Sequence, residues 1–208
     1  MTGQVAPASY KIADGRTAVP LSLAANGSAF VVFRKAAKTP SRIVKAPVET
    51  PVEAIGGAWT VAFQPNRGAP ASATLATLTP WNESADTGIK YFSGAAVYSK
   101  AFTLPAKGAG RYVLDLGEVK ELAEVTLNGK PLGTVWTTPY KLDITKALKP
   151  GRNELKVKVV NLWVNRLIGD AQPDAKQKIT FTIIPTYRAD APLKPSGLLG
   201  PVEIRKVK

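Results

Sequence analysis

The sequence predicts an all-β protein, a two-layer antiparallel sandwich of about nine or ten short strands. Three observations predict it. Asn128-Gly129 stands between two alternating runs, and Asn-Gly accepts the positive φ that both central positions of a type I′ hairpin turn require. Leu155-Lys156-Val157-Lys158-Val159 alternates apolar and basic residues with the two-residue period of a half-buried strand. Finally, 17 Gly and 17 Pro are spread along the chain, which leaves little room for long helices.

In chain order, Ala18–Leu23 and Ala29–Arg34 read as two strands joined by a turn at Asn26-Gly27. Two strands cannot bury a core. Residues 1–35 therefore either pack on the rest of the chain or are the tail of a preceding β domain, the preferred reading. Residues 36–55 read as a linker, because Pro40, Pro47 and Pro51 interrupt any ladder and the basic residues meet no acid until Glu49. The main domain covers 56–208 and opens with the alternating strand Ala58–Phe63. A weaker strand, Ala73–Leu78, precedes a loop from Thr79 to Gly88 that contains Trp81. Strands at Ala95–Leu104 and Arg111–Leu116 follow, the second with Tyr112, Leu114 and Leu116 on one face. Leu122–Leu127 and Leu132–Trp136 form the hairpin. Thr145–Leu148 reads as a single helical turn with Asp143 as N-cap. Strands at Asn153–Asn161, Ile179–Ile184 and Val202–Val207 close the chain.

Composition narrows the function. The chain has 208 residues, 28 Lys and Arg against 15 Asp and Glu, and a net charge of +13. Such a balance fits nucleic acid or acidic polysaccharide. However, Lys156 and Lys158 lie on the outward side of a strand, and Lys107, Lys130 and Lys149 lie at turns. Solvated faces account for that pattern. Acidic polysaccharide ranks next, and no nucleic-acid partner is expected. Cys and His are both absent, which removes thiolate chemistry, Ser-His-Asp catalysis and imidazole zinc sites. No apolar run is long enough to span a bilayer, and no membrane partner is expected. The N-terminus lacks the pattern of a signal peptide.

Two kinds of residue could carry chemistry. Loop carboxylates at Glu83, Asp86, Asp170, Asp174 and Asp190 allow a glycosidase pair in principle, but nothing in their spacing sets a catalytic separation. Surface solubility and turn capping are the preferred reading of them. The aromatics say more. Trp81, Trp136 and Trp163 stand at strand ends or in loops, whereas Trp59 sits inside a strand and reads as core. Trp163 has Asn165, Arg166 and Asp170 close by in sequence. A ring beside amide and guanidinium groups suits a polyhydroxyl ligand, since hydroxyls both donate and accept. The candidate carbohydrate contacts are Trp163, Asn165, Arg166 and Tyr187, with Trp136 and Trp81 secondary. Tyr187 lies in the long loop Pro185–Pro201, stiffened by Pro185, Pro192, Pro195 and Pro201. That loop reads either as a wall over one sandwich end or as the rim of a cleft.

Tyr91-Phe92-Ser93-Gly94 through Tyr98-Ser99-Lys100-Ala101-Phe102 resembles the opening of the sugar-binding domain of family 2 glycoside hydrolases, with Phe92 as an insertion. Val125–Gly133, Asp143-Ile144-Thr145, Pro150–Asn153 and Ser196–Val202 continue the resemblance in order. That domain is a galactose-binding-like jelly roll. The segments Thr79-Pro80-Trp81, Gly88–Tyr91, Leu114–Val119, Asn161–Asp170 and Pro195–Pro201 are similar to the C-terminal part of family 106 α-L-rhamnosidases. So is Ser28–Arg34, which resembles the end of the preceding β domain there.

The resemblance implies an accessory carbohydrate-binding or scaffold domain of a glycoside hydrolase acting on rhamnose-containing or pectic polysaccharide. Its partners would be carbohydrate and the catalytic barrel of the parent enzyme. No catalytic residue carries over, because the family's catalytic carboxylates lie on that barrel. A free-standing glycosidase and a purely structural domain are the alternatives. No cofactor is expected; oxygen ligands suffice for a structural calcium, with no ligand set assigned. The expected location is periplasmic or extracellular, with the export signal outside this chain.

Overall fold

A computed structural model describes residues 5–23, 27–175 and 177–208. The chain divides into two compact units, Met1–Val48 and Glu49–Lys208.

The first unit holds a three-stranded sheet of β1 (Tyr10–Ala13), β2 (Arg16–Ala18) and β3 (Ser41–Arg42), in the order β2-β1-β3. Its hairpin turns at Asp14-Gly15, with φ of 51° and 70°. These are the positive values that a type I′ turn demands. The strands expected at Ala18–Leu23 and Ala29–Arg34 do not form, apart from Ala18 itself. Asn26, half of the expected turn, lies outside the described residues. Alternation alone does not make a strand. Phe30, Val32 and Phe33 stay exposed on a segment that has no ladder partner among the described residues.

The second unit is the sandwich. Its larger sheet joins six antiparallel strands: β5 (Trp59–Phe63), β6 (Ser72–Leu75), β7 (Ala95–Leu104), β10 (Leu122–Leu127), β11 (Lys130–Val135) and β13 (Gly151–Val160). Their order is β11-β10-β13-β7-β5-β6. The facing sheet holds β4 (Glu49–Ala54), β8 (Arg111–Asp115), β12 (Lys141–Asp143) and β15 (Glu203–Val207), in the order β12-β8-β15-β4. A short pair, β9 (Glu118–Lys120) with β14 (Gly197–Gly200), completes the ladders. Among the described residues, helix is confined to a 3₁₀ turn at Trp81–Glu83, α1 (Thr87–Lys90) and α2 (Val164–Asp170).

Period-two patterning dictates the core. Trp59, Val61 and Phe63 of β5 point inward with Leu155, Val157 and Val159 of β13 and Ala123, Val125 and Leu127 of β10. Tyr112, Leu114 and Ile204 cover them from the other sheet. Each large apolar side chain so buried contributes about 1.5–3 kcal/mol. The Asn128-Gly129 hairpin forms as expected, with φ of 53° and 76°.

Two expectations need correcting. Glu49–Ala54 is not linker: it is β4, the edge strand of the four-stranded sheet. An edge tolerates Pro51 because one side of the strand needs no ladder donor. Glu49 also accepts a hydrogen bond from Lys141 at 2.6 Å, which raises the Lys141 ammonium above its ordinary range. Ile179–Ile184, in turn, joins no sheet among the described residues.

Candidate functional site

The expected site residues do not form one cluster. The reason is where each falls relative to the sheet ends. Trp136 follows β11 and Trp163 lies just after β13. Both strands flank β10, with Val135 opposite Ala123 and Ala123 opposite Val159. At ~4.8 Å per strand the two strand ends stand about 10 Å apart at one end of the sandwich. Trp136 is 70% exposed and Trp163 46% exposed. The Arg67 guanidinium carbon sits 4.7 Å from the centre of the Trp163 ring. A cation at that distance is attracted by the ring quadrupole and holds the indole in place.

Trp81 is not a contact residue. It is 1% exposed and stacks on Tyr98 at 6.0 Å with 9° between the planes. Phe63 and Phe92 meet it edge-on at 5.7 and 5.3 Å. Its main-chain N–H donates to Ser196 at 2.9 Å, which draws a loop residue into the core. Tyr98 beside it accepts the Leu198 N–H at 3.0 Å, and burial pushes its phenol well above the ordinary range. Gly197 fits here because a Cβ would meet the Tyr98 hydroxyl at 2.7 Å and the Trp81 ring at 2.9 Å.

Asn165 and Arg166 also need correcting. Asn165 is 2% exposed and Arg166 7% exposed. The Asn165 amide donates to the Lys194 carbonyl at 2.7 Å and accepts the Lys194 N–H at 2.8 Å. Its polar groups anchor the end of the long loop. The Arg166 guanidinium lies 2.9 Å from Asp170 Oδ1, and the Arg166 N–H donates to the buried Ser93 hydroxyl at 3.1 Å. Asp170 Oδ2 accepts the Ile179 and Thr180 N–H groups at 3.0 and 2.7 Å. The Asn165 amide and Asp170 Oδ2 brace loops from inside, since buried polar atoms seek partners; Arg166 Nε is buried without one among the described residues. Tyr187 is half-buried and lines a separate open cleft of about 320 Å³ with Leu167, Asp170 and Phe181.

Arg67 was not legible as a site residue. It comes from the β5–β6 loop, far from Trp163 in sequence, and only folding brings them together. Three of the five loop carboxylates, Asp86, Asp170 and Asp190, have partners within the chain. Asp86 caps α1 through the Gly88 and Ile89 N–H groups, and Asp190 pairs with Arg188 at 3.2 Å. Among the described residues no three acidic side chains gather as a metal cage.

The chain is 52% identical to the solved rhamnosidase from Novosphingobium sp. PP1Y, with a TM-score of 0.88 over 98% of this chain. It is 38% identical over 176 residues, or 72% of this chain, to a putative β-glucuronidase of Formosa agariphila. It spans only 19% of the rhamnosidase and 15% of the putative glucuronidase. The strand pattern predicts an antiparallel sandwich and the resemblance implies a galactose-binding-like one, and the structure is consistent with both. A model of the glycosyl hydrolase 2 galactose-binding domain-like family matches residues 80–185, and the chain belongs to that family.

Proposed function

We propose that this chain is an accessory, non-catalytic domain of a larger glycoside hydrolase acting on rhamnose-containing or pectic polysaccharide, and that it contacts saccharide through Trp163. One observation carries the reading: a half-exposed indole at the loop end of the sandwich, with the Arg67 guanidinium at 4.7 Å from the ring centre. A flat ring beside a fixed donor suits a sugar's C–H face and its hydroxyls. Trp136 offers a second ring at the same end of the sheet. The solved rhamnosidase supports the parent class, because 98% of this chain aligns within it. Use of Asp86 as a helix cap and of Asp170 as a loop brace supports a catalytic centre in another domain. Such a polysaccharide is met outside the cytoplasm, so the domain works in the periplasm or beyond.

Isothermal titration against neutral rhamnose-containing oligosaccharides tests this. Weak binding is expected, lost at least ~10-fold (about 1.4 kcal/mol) in Trp163→Ala. Arg67→Ala lowers affinity less, because the indole remains. Equal affinity in Trp163→Ala overturns the assignment of the contact. No binding to any glycan leaves a scaffold role alone.

A further inference from the structure

We infer that Ser93 and Asn161 are positioning residues for the Trp163 contact: Ser93 caps α2 in place of Trp163, Asn161 ties down the chain before it, and together they aim the indole at ligand. The inference rests on the saccharide contact proposed above and names what fixes the ring.

An N-cap residue ordinarily turns its own side-chain oxygen back onto the N–H of the second or third helical residue. An indole cannot do this, because its one polar group is a donor. Trp163 is the N-cap of α2 and makes no side-chain cap bond. The N–H of Arg166, the third helical residue, donates instead to Ser93 Oγ at 3.1 Å, across 73 positions of sequence. Ser93 is fully buried. Its hydroxyl does from outside the helix what a cap residue does from within. A capping Ser or Asp at position 163 would fold inward onto the helix. The imported hydroxyl leaves a half-exposed ring there instead.

The same short segment holds the chain on the other side of Trp163. Asn161 Oδ1 accepts the Gly94 N–H at 2.9 Å, and its amide donates to the Phe92 carbonyl at 2.8 Å. Asn161 is thus tied to Phe92 and Gly94, and Arg166 to Ser93. Between them, the Trp163 carbonyl accepts the Leu167 N–H at 3.1 Å. Gly94 also lies against the stem of Arg67, the ring's cation partner: a Cβ there would stand 3.6 Å from Arg67 Cγ. Phe92, Ser93 and Gly94 therefore meet both halves of the Trp163–Arg67 pair. A ring ordered before ligand arrives loses less entropy on binding.

The test follows the indole N–H resonance of Trp163 in the 208-residue chain, assigned by its loss in Trp163→Phe, beside titration with a neutral rhamnose-containing oligosaccharide. In wild type the order parameter of that N–H should approach the ~0.85 of rigid backbone. Ser93→Ala should bring it below ~0.6 and weaken binding about 3- to 10-fold, the cost of ordering one side chain on association. Trp59 and Trp81, both buried, should keep their order. Asn161→Asp keeps the acceptor for Gly94 and loses the donor to Phe92. It should move both readouts in the same direction, and it decides the matter if Ser93→Ala does not fold. Asn128→Ala is the control for lost stability alone. It acts at the far end of β10, beyond the Leu127–Leu155 pair, whereas Trp163 follows the Leu122–Val160 end. It should lower the melting temperature and leave both readouts as in wild type. Unchanged order in Ser93→Ala or Asn161→Asp overturns the inference, and so does a looser ring that binds as tightly as before. If wild type binds no saccharide, the contact reading falls, while the order parameters still decide whether Ser93 and Asn161 fix the ring.

Discussion

Asn128 shows how much one side chain can carry. Its φ of 53° suits the turn, and its amide donates to the Ala147 carbonyl and to Asn153 Oδ1, both at 2.8 Å. Its own oxygen accepts the Glu154 N–H at 3.0 Å. Asn153 is fully buried and depends on that bond, together with those to Lys149 and Gly151. Asn128→Ala should therefore cost about 2–4 kcal/mol in urea unfolding, from orphaned polar groups and a strained φ. Asn128→Gly accepts the positive φ, so it should recover the backbone share and leave the hydrogen-bond share lost. Equal destabilisation by the two variants would show that the backbone contributes nothing. The tryptophans make the same point about residues. Trp81 and Trp163 both stand in loops by sequence, yet one is buried against Tyr98 and the other lies open under Arg67. No local pattern separates them.

At the scale of elements, legibility followed burial on one face. β7 lies where the sequence placed a strand, at Ala95–Leu104, and neighbours on both sides fix its register. β9, β12 and β14 are three or four residues long and exist only through the strands beside them. Nothing that short shows a period. α2 also lacked a signal: its N-cap is Trp163, which makes no side-chain cap bond. Ile179–Ile184 failed the other way, with a period but no partner. The Asp143 turn was legible because its chemistry is local. Asp143 accepts the Thr145 N–H at 2.9 Å and Arg111 at 2.8 Å, and the Leu148 N–H closes on Ile144 at 2.8 Å. Partial burial opposes the charge, yet bonds from Thr145 and Arg111 hold this carboxyl below its ordinary range. A lowered folded pKa stabilises above the unfolded value, near ~4, and is lost as pH falls through the folded one. Wild type should thus be modestly more stable than Asp143→Asn at pH 7, the side chains being half exposed. The urea midpoints should converge below about pH 4. A gap that persists in acid would show that charge has no part in it.

At the scale of the whole molecule, charge and ring chemistry make separable demands. The net charge is +13, and before Glu49 the sequence has seven basic residues against a single acid, Asp14. A pectic ligand carries uronates, so a long-range attraction adds to any stacking on Trp163. The two differ in salt dependence. Exposed charges act over a Debye length of ~8 Å at physiological ionic strength, and released counterions make polyanion binding fall steeply with salt. Stacking involves no counterions. The protein should therefore be retained on immobilised polygalacturonate at about 20 mM salt and released by about 200 mM. Trp163→Ala should elute with wild type, because the total charge is unchanged. A neutral rhamnose-containing oligosaccharide should show the opposite pattern: affinity indifferent to salt and sensitive to Trp163→Ala. If that affinity also collapses with salt, the basic surface rather than the indole is the binding element.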